Sequence, residues 1–177
     1  DYDTRIMGFG MRTNATNHPF KPSEGYKSDS LLEMGTTLLG GDSQFAKLTV
    51  EHSRYYQLWK DRLVLAIRGM GGRVIAGEAG ENERYVIGGA ETLRGYRRGA
   101  DQTLVGERML AVNSELRISI MQNLDGVLFS DWGRAWSQGE SVSLSDFNYS
   151  FGLGVRLDTP LGLLRLDWGL GHTEDKG

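Results

Sequence analysis

Polar and apolar residues alternate with a period of two along most of the chain. The cleanest stretch is 104–120. From Leu110 onward one parity reads Leu110, Val112, Ser114, Leu116, Ile118 and Ile120, and the other Ala111, Asn113, Glu115, Arg117 and Ser119. A side chain that changes face at every residue marks a β-strand lying between two different media. The same alternation predicts strands at 5–14, 25–38, 45–56, 62–71, 126–136, 147–158 and 163–172. Helical periodicity is nearly absent. The fold class is therefore all-β, with about eight antiparallel strands in meander order.

The media are not fixed by alternation alone. In a soluble sandwich the polar face meets water and the apolar face meets a second sheet. In an antiparallel transmembrane β-barrel the apolar face meets lipid and the polar face lines the lumen. Three features favour the barrel. The strands are about 10 to 14 residues long, against a usual ~5–6, and a tilted membrane strand needs ~9–11. The polar parity carries glycine and charges of both signs, as in Gly152, Gly154, Arg156 and Asp158. Aromatic residues gather at strand ends (Tyr55, Tyr56 and Trp59; Trp132 and Trp136; Phe147 and Tyr149), as in interfacial girdles.

Connections are uneven. Thr159-Pro160-Leu161-Gly162 is a tight turn, and 57–61 and 122–125 are also short. By contrast, 73–103 is glycine-rich and shows no alternation. A connection of that length in a compact domain usually has a function.

Composition narrows the classes. The 177 residues are 39% hydrophobic, and no run reaches the ~18 apolar residues of a membrane helix. Net charge is −3, with no basic stripe of the kind nucleic acid requires, so no nucleic-acid partner is expected. Cysteine is absent. His18, His52 and His172 are too far apart for a ligating pair, so neither metal nor other cofactor is expected. No nucleophile elbow or Walker loop is present, which argues against an enzyme.

The long connection contains Gly88-Gly89-Ala90-Glu91-Thr92-Leu93-Arg94-Gly95-Tyr96. This resembles the Gly-Gly-x-x-x-(Val/Leu)-Arg-Gly-(Phe/Tyr) signature of the BamA/TamA superfamily of outer-membrane insertases and translocases. Phe129-Ser130-Asp131-Trp132-Gly133-Arg134-Ala135-Trp136 is similar to the family's F-x-D-x-G-x-x-W strand, marked here by Phe129, Gly133 and Trp136. Gly152 to Arg156 and then Thr159 to Asp167 resemble its G-x-G-x-R and (S/T)-P-x-G-x-x-R-x-D hairpin. The 17–25 segment is similar to its N-P-F-x-P-x-x-G turn, with His18 inserted. The four motifs follow the family order over nearly the whole chain.

The resemblance implies that the long loop folds back into the barrel and that Arg94 reaches acids on the inner wall, Asp131 and Glu115. Physics agrees independently. A carboxylate is costly on the lipid side, and an enclosed carboxylate is best satisfied by a guanidinium that gives two parallel hydrogen bonds. Arg97 and Arg98 read as solvated or lumen-lining. The resemblance further implies a non-catalytic component of outer-membrane protein assembly, insertion or polypeptide translocation, in a diderm bacterium or a derived organelle envelope. Its partners would be outer-membrane lipid, unfolded outer-membrane clients, and further barrel strands or chains, supplied by a homo-oligomer or by the rest of a larger barrel. The other reading is a small passive channel or oligomeric pore.

The chain departs from the family pattern in having no counterpart of the receiving POTRA domains or of the first strands, and it stops short of the final strand. With the long loop extracellular, alternating strand direction puts Asp1 and Gly177 on the cell-surface side, whereas family barrels keep both termini in the periplasm. The expectation is one barrel domain over 1–177, the C-terminal half of a family barrel without its last strand. Its two edge strands would then need partners.

Overall fold

The computed structural model describes residues 4–36, 41, 44–60, 62–160 and 162–172. Eight long strands form one antiparallel sheet: β1 (Ile6–Thr16), β2 (Gly25–Gly35), β3 (Phe45–Trp59), β4 (Leu63–Gly77), β7 (Arg108–Met121), β8 (Leu124–Trp136), β9 (Asn148–Thr159) and β10 (Gly162–Gly171). Two further strands, β5 (Tyr85–Val86) and β6 (Val105–Gly106), pair only with each other inside the long connection. The sheet order is β1-β2-β3-β4-β7-β8-β9-β10, a meander in which every neighbour in sequence is a neighbour in space. Among the described residues β1 and β10 are the two edges. Residues 37–38 of the expected second strand, Asp61, Leu161 and the 173–177 tail lie outside the described residues.

Along β8 and β9 the inward parity is largely buried and the outward, mostly apolar parity is more exposed, while the edge strand β1 is exposed on both faces. Phe151, Leu153, Leu164, Leu166, Trp168 and Leu170 are all exposed, while Ser150, Gly154 and Arg156 on the opposite parity of β9 are buried. Among the described residues no second sheet covers the apolar side. A large exposed apolar surface around a charged interior is inverted relative to a water-soluble domain, and it matches a barrel wall in lipid. No helix of the described residues is long and apolar enough to cross a membrane.

Connections separate by end. At one end short connections join Trp59 to Leu63, Met121 to Leu124 and Thr159 to Gly162. At the other lie the Gly35 and Phe45 ends of β2 and β3 and the connections 78–107 and 137–147. The 17–24 turn belongs to the tight end but is longer and folds inward. Asn17 organises it, accepting at Oδ1 from the amides of Ser23 (3.0 Å) and Glu24 (3.1 Å) and donating from Nδ2 to Ser23 Oγ (2.7 Å). His18, the residue inserted relative to the family turn, accepts at Nδ1 from the amides of Phe20 (3.3 Å) and Lys21 (3.0 Å). Lys21 then reaches the buried Asp125 on β8 at 2.8 Å.

Three expectations need correction. β4 continues to Gly77, so 73–77 is strand and not loop. Residues 104–107 belong to the loop, and β7 begins at Arg108. Tyr55 faces the lumen, where its ring lies near Arg117, and is no part of an outer girdle. The first has a physical cause. Where the loop packs on the wall, the inward parity becomes apolar (Met70, Val74, Met109), so the alternation that marks a strand disappears although the β4–β7 pairing continues to Arg73↔Arg108.

The orientation of the wall is testable. Leu153→Arg places a charge mid-strand on the lipid face and is expected to cost about 2–4 kcal/mol in a bilayer. Lys27→Arg, on the inward face, should stay within about 0.5 kcal/mol. Urea unfolding from liposomes measures both.

Candidate functional site

The 78–107 connection lies inside the curve of the sheet and has a small core of its own. Tyr85, Ile87, Leu93 and Leu104 are buried against Met109 of β7 and Ala135 of β8. The wall makes room for it: a Cβ at Gly72 on β4 would fall 2.5 Å from the Tyr85 ring, so only glycine fits beneath that tyrosine. The Tyr85 hydroxyl donates to the Leu48 carbonyl at 2.8 Å. The loop is therefore folded, with a two-stranded pair and three-residue 3-10 turns at Glu81–Glu83 and Gln102–Leu104.

The Gly88–Tyr96 motif crosses the strands. Gly88 and Gly89 hold φ of +110° and +80°, a region that disfavours any side chain. They let the chain fold back so that the Gly89 amide donates to the Tyr96 carbonyl at 2.9 Å. Thr92 Oγ1 closes the turn onto Gly88, accepting from its amide at 2.8 Å and donating to its carbonyl at 3.0 Å. Alternate residues then meet successive strands. The Thr92 carbonyl accepts from Asn113 of β7 at 2.7 Å. Arg94 meets Asp131 of β8. The Tyr96 hydroxyl donates to the Tyr149 carbonyl of β9 at 3.1 Å and bonds the His172 carbonyl just beyond β10. Leu93, between them, is fully buried in the loop's own core. Gly95 (φ +88°) backs directly onto β10, where a Cβ would sit 2.7 Å from the Gly171 nitrogen.

Arg94 is the centre of the arrangement. Its Nε donates to Asp131 Oδ2 at 2.7 Å, its Nη2 to Oδ1 at 2.7 Å, and its own backbone amide to Oδ2 at 3.0 Å. One carboxylate thus takes a bidentate guanidinium and the main chain of the same residue. Nη1 donates to Glu115 Oε1 at 2.7 Å. The guanidinium plane lies 3.6 Å from the centroid of the Phe129 ring, and that ring in turn occupies the space a Cβ at Gly152 would need. Arg94 is 5% exposed and Asp131 0%. Burial acts to lower the Arg94 pKa, but the hydrogen bonds and charges of Asp131 and Glu115 outweigh it, so the pKa is raised and the side chain stays cationic.

The charges continue as a chain along the wall. Glu115 also accepts from Arg156 (3.0 Å) and pairs with Arg117 (2.9 Å). Arg156 pairs with Asp167 of β10 at 2.6 Å, and Arg165 with Asp167 at 3.0 Å. Three carboxylates and four guanidiniums alternate, so each buried charge has an opposite neighbour. Arg165 and Arg68 also hold the loop, bonding the carbonyls of Ala90 and, at 2.5 Å, Glu91.

Of the residues expected from sequence, Arg94, Asp131, Glu115, Phe129 and the motif glycines come together. Gly133 lies under Ile87, and Arg97 and Arg98 are exposed. Trp136 stands on the opposite parity, and only its backbone meets the loop, at Gly106. Arg156, Asp167, Arg165 and Arg117 received no role from sequence. The signal available was parity: each shares the inward face with a partner of opposite charge on the adjacent strand or two residues along.

Fold and site together define a transmembrane β-barrel wall whose lumen is occupied by its own longest connection among the described residues, clamped by an arginine–carboxylate network. The chain belongs to the Omp85 superfamily, whose domain model matches residues 1–177. It is 34% identical over 147 residues to outer envelope protein 80, chloroplastic, of Oryza sativa subsp. japonica, covering 77% of this chain and 21% of that one. It is 31% identical over 170 residues to outer membrane protein assembly factor BamA of Nitratidesulfovibrio vulgaris, covering 88% of this chain and 21% of that one. The chain thus spans about a fifth of the length of these relatives. The crystal structure of BamA from Haemophilus ducreyi lacking POTRA domains 1–3 superposes with a TM-score of 0.79 at 17% identity, over 97% of this chain and 39% of that one, a likeness of fold.

Removing one partner of the clamp strands a buried charge. Arg94→Ala is expected to destabilise the protein by about 3–5 kcal/mol, and Arg94→Lys to recover only part of this because the fork is lost. Arg97→Ala should change stability by less than about 0.5 kcal/mol. Urea unfolding, together with protease sensitivity of the 78–107 loop, reads all three.

Proposed function

We propose that this chain is part of an outer-membrane machine that assembles or translocates polypeptides, in a diderm bacterium or a derived organelle envelope. It acts as a shaped wall with no chemistry of its own. The observation that carries this reading is the clamp. Arg94 ties the loop to Asp131 of β8 and Glu115 of β7, and through Tyr96 the same nine-residue motif reaches β9 and the end of β10. Such a loop fills the lumen and fixes the curvature of four strands from within.

The edges support the same reading. β1 and β10 each present a row of backbone groups that lipid cannot satisfy, at several kcal/mol per group. Both edges therefore call for further strands, from the rest of a larger barrel or from another chain. A client chain entering as a strand is the partner such an edge fits. In this reading the 1–177 region is a single barrel domain with the loop as its internal brace. The clamp and strand motif residues are structural parts of the machine and not catalytic ones.

The alternative is a passive pore. It has one observation in its favour, a polar cavity of about 280 Å³ beside the clamp, lined by Lys27, Glu51, Arg68, Arg117 and Arg165 among others. The two readings separate in proteoliposomes carrying the full-length protein. The assembly reading expects faster folding of an unfolded barrel client than empty liposomes give, and at least a tenfold loss of that acceleration with Arg94→Ala. Steady ion conductance with no acceleration of client folding would instead support the pore.

A further inference from the structure

The outer wall has a charge pattern that neither the clamp nor the edges explain. Among the described strand residues, no Asp or Glu occupies an outward position. Every strand carboxylate sits on the inward parity, as Asp29, Glu33, Glu51, Glu115, Asp125, Asp131, Asp158 and Asp167 do. Four arginines, however, face outward: Arg54, Arg73, Arg108 and Arg134. Arg54 lies against two tyrosine rings, Tyr26 at 5.9 Å and Tyr56 at 5.6 Å. Arg134 gives its Nη atoms to the Asp146 carbonyl (2.8 Å) and Glu140 (2.5 Å) of the 137–147 connection.

Arg73 and Arg108 differ. They are direct cross-strand partners, Arg73 of β4 opposite Arg108 of β7. Opposed side chains in an antiparallel pair have Cβ atoms about 4.5–5.5 Å apart, and like charges there are destabilising. Among the described residues no carboxylate pairs with either. The nearest acid in sequence, Glu107, is engaged with Arg84 at 3.1 Å and with the Gln138 amide at 2.8 Å. The Arg108 Nε is shielded from solvent and has no hydrogen-bond partner. Both residues lie toward the long-loop end of the apolar band. Arg108 is the first residue of β7, directly opposite Trp136, and exposed Leu110 and Val112 lie two and four residues along the same face.

Two guanidiniums held side by side, without an acid, above an apolar surface and at the depth of lipid headgroups form an anion site of a particular kind. We propose that Arg73 and Arg108 bind the phosphate of a membrane lipid in the leaflet at the long-loop end. A phosphate oxygen pair matches the fork of one guanidinium, and a single anion between two cations converts their repulsion into attraction. Leu110 and Val112, which follow Arg108 along β7 toward the middle of the wall, lie where the acyl chains of that lipid descend. Free phosphate would meet the same two cations but gain nothing from this apolar floor, so the site selects the lipid. The proposal requires only that the wall stand in a bilayer, and it is independent of what the barrel transports.

Native mass spectrometry of the delipidated full-length protein in neutral detergent tests it. The probes are phosphatidylglycerol, a neutral digalactosyl lipid with the same acyl chains, and inorganic phosphate. Phosphatidylglycerol should be retained at least fivefold over the neutral lipid, and millimolar phosphate should not displace it. Arg73→Gln with Arg108→Gln should reduce retention to the neutral-lipid level, and Arg54→Gln should leave it unchanged. Equal retention by the double variant, or displacement by free phosphate, would overturn the proposal. A second measurement does not depend on lipid retention. In lipid-free detergent Arg73→Glu should raise the melting temperature, because an acid then opposes Arg108, and added phosphatidylglycerol should raise the melting temperature of the unmutated protein but not of this variant. A lower melting temperature for Arg73→Glu without lipid would show that the pair is not repulsive and that no anion is needed.

Discussion

A carboxylate with no access to water needs a cation held in fixed geometry, and this constraint at Asp131 organises the structure. Asp131 is fully buried on the inner wall of β8 and takes three hydrogen bonds from one residue, two from the Arg94 guanidinium and one from its amide. Satisfying it requires a chain segment inside the barrel, brought there with its backbone close to the wall. The glycines of the motif permit that approach. The apolar core of the loop gives it a shape that persists, and the alternating charges from Glu115 to Arg165 neutralise the remainder of the inner face. Buried ion pairs contribute little net stability compared with apolar packing of the same volume, but they punish any alternative arrangement. The network therefore specifies one position for the loop more than it adds to overall stability.

The same constraint divides the wall into zones. Where the loop's apolar core rests, the inward side chains are Met70, Met109 and Ala135. Where the guanidinium rests, they are Glu115, Phe129 and Asp131. Below, toward the tight turns, Lys21 enters from the 17–24 turn to meet Asp125. The lumen is thus furnished from both ends by the chain's own connections, and the outward face is left to lipid.

How much of this was legible in the sequence depended on what each residue touches. Strands facing lipid on one side and polar lumen on the other announced themselves by alternation, and all eight were found. The signal failed where a third medium intruded. Under the loop core β4 is apolar or glycine on the inward parity and, apart from Arg73, on the outward one, so 73–77 looked like loop although its ladder continues. The loop looked structureless because its order comes from tertiary packing of Tyr85, Ile87, Leu93 and Leu104, which has no short period. Arg94 and Asp131 were readable through their motifs and through the cost of an acid in lipid. Arg156 and Asp167 stood in the hairpin motif without an assigned partner, because their pairing follows only once register sets β9 beside β10. His18 looked like an interruption of its turn, whereas its imidazole is what accepts the turn's amides.

The central claim, that Arg94 and Asp131 act as one unit in holding the loop inside the barrel, is tested most directly by a double-mutant cycle. Unfolding free energies would be measured for the unmutated protein, Arg94→Ala, Asp131→Ala and the double variant in the same liposomes. The account predicts strong coupling, about 2 kcal/mol or more, with the double variant no less stable than the worse of the two single variants, since removing the second charge relieves the first. Additive losses within about 0.5 kcal/mol would show that the two residues act separately, and would contradict it.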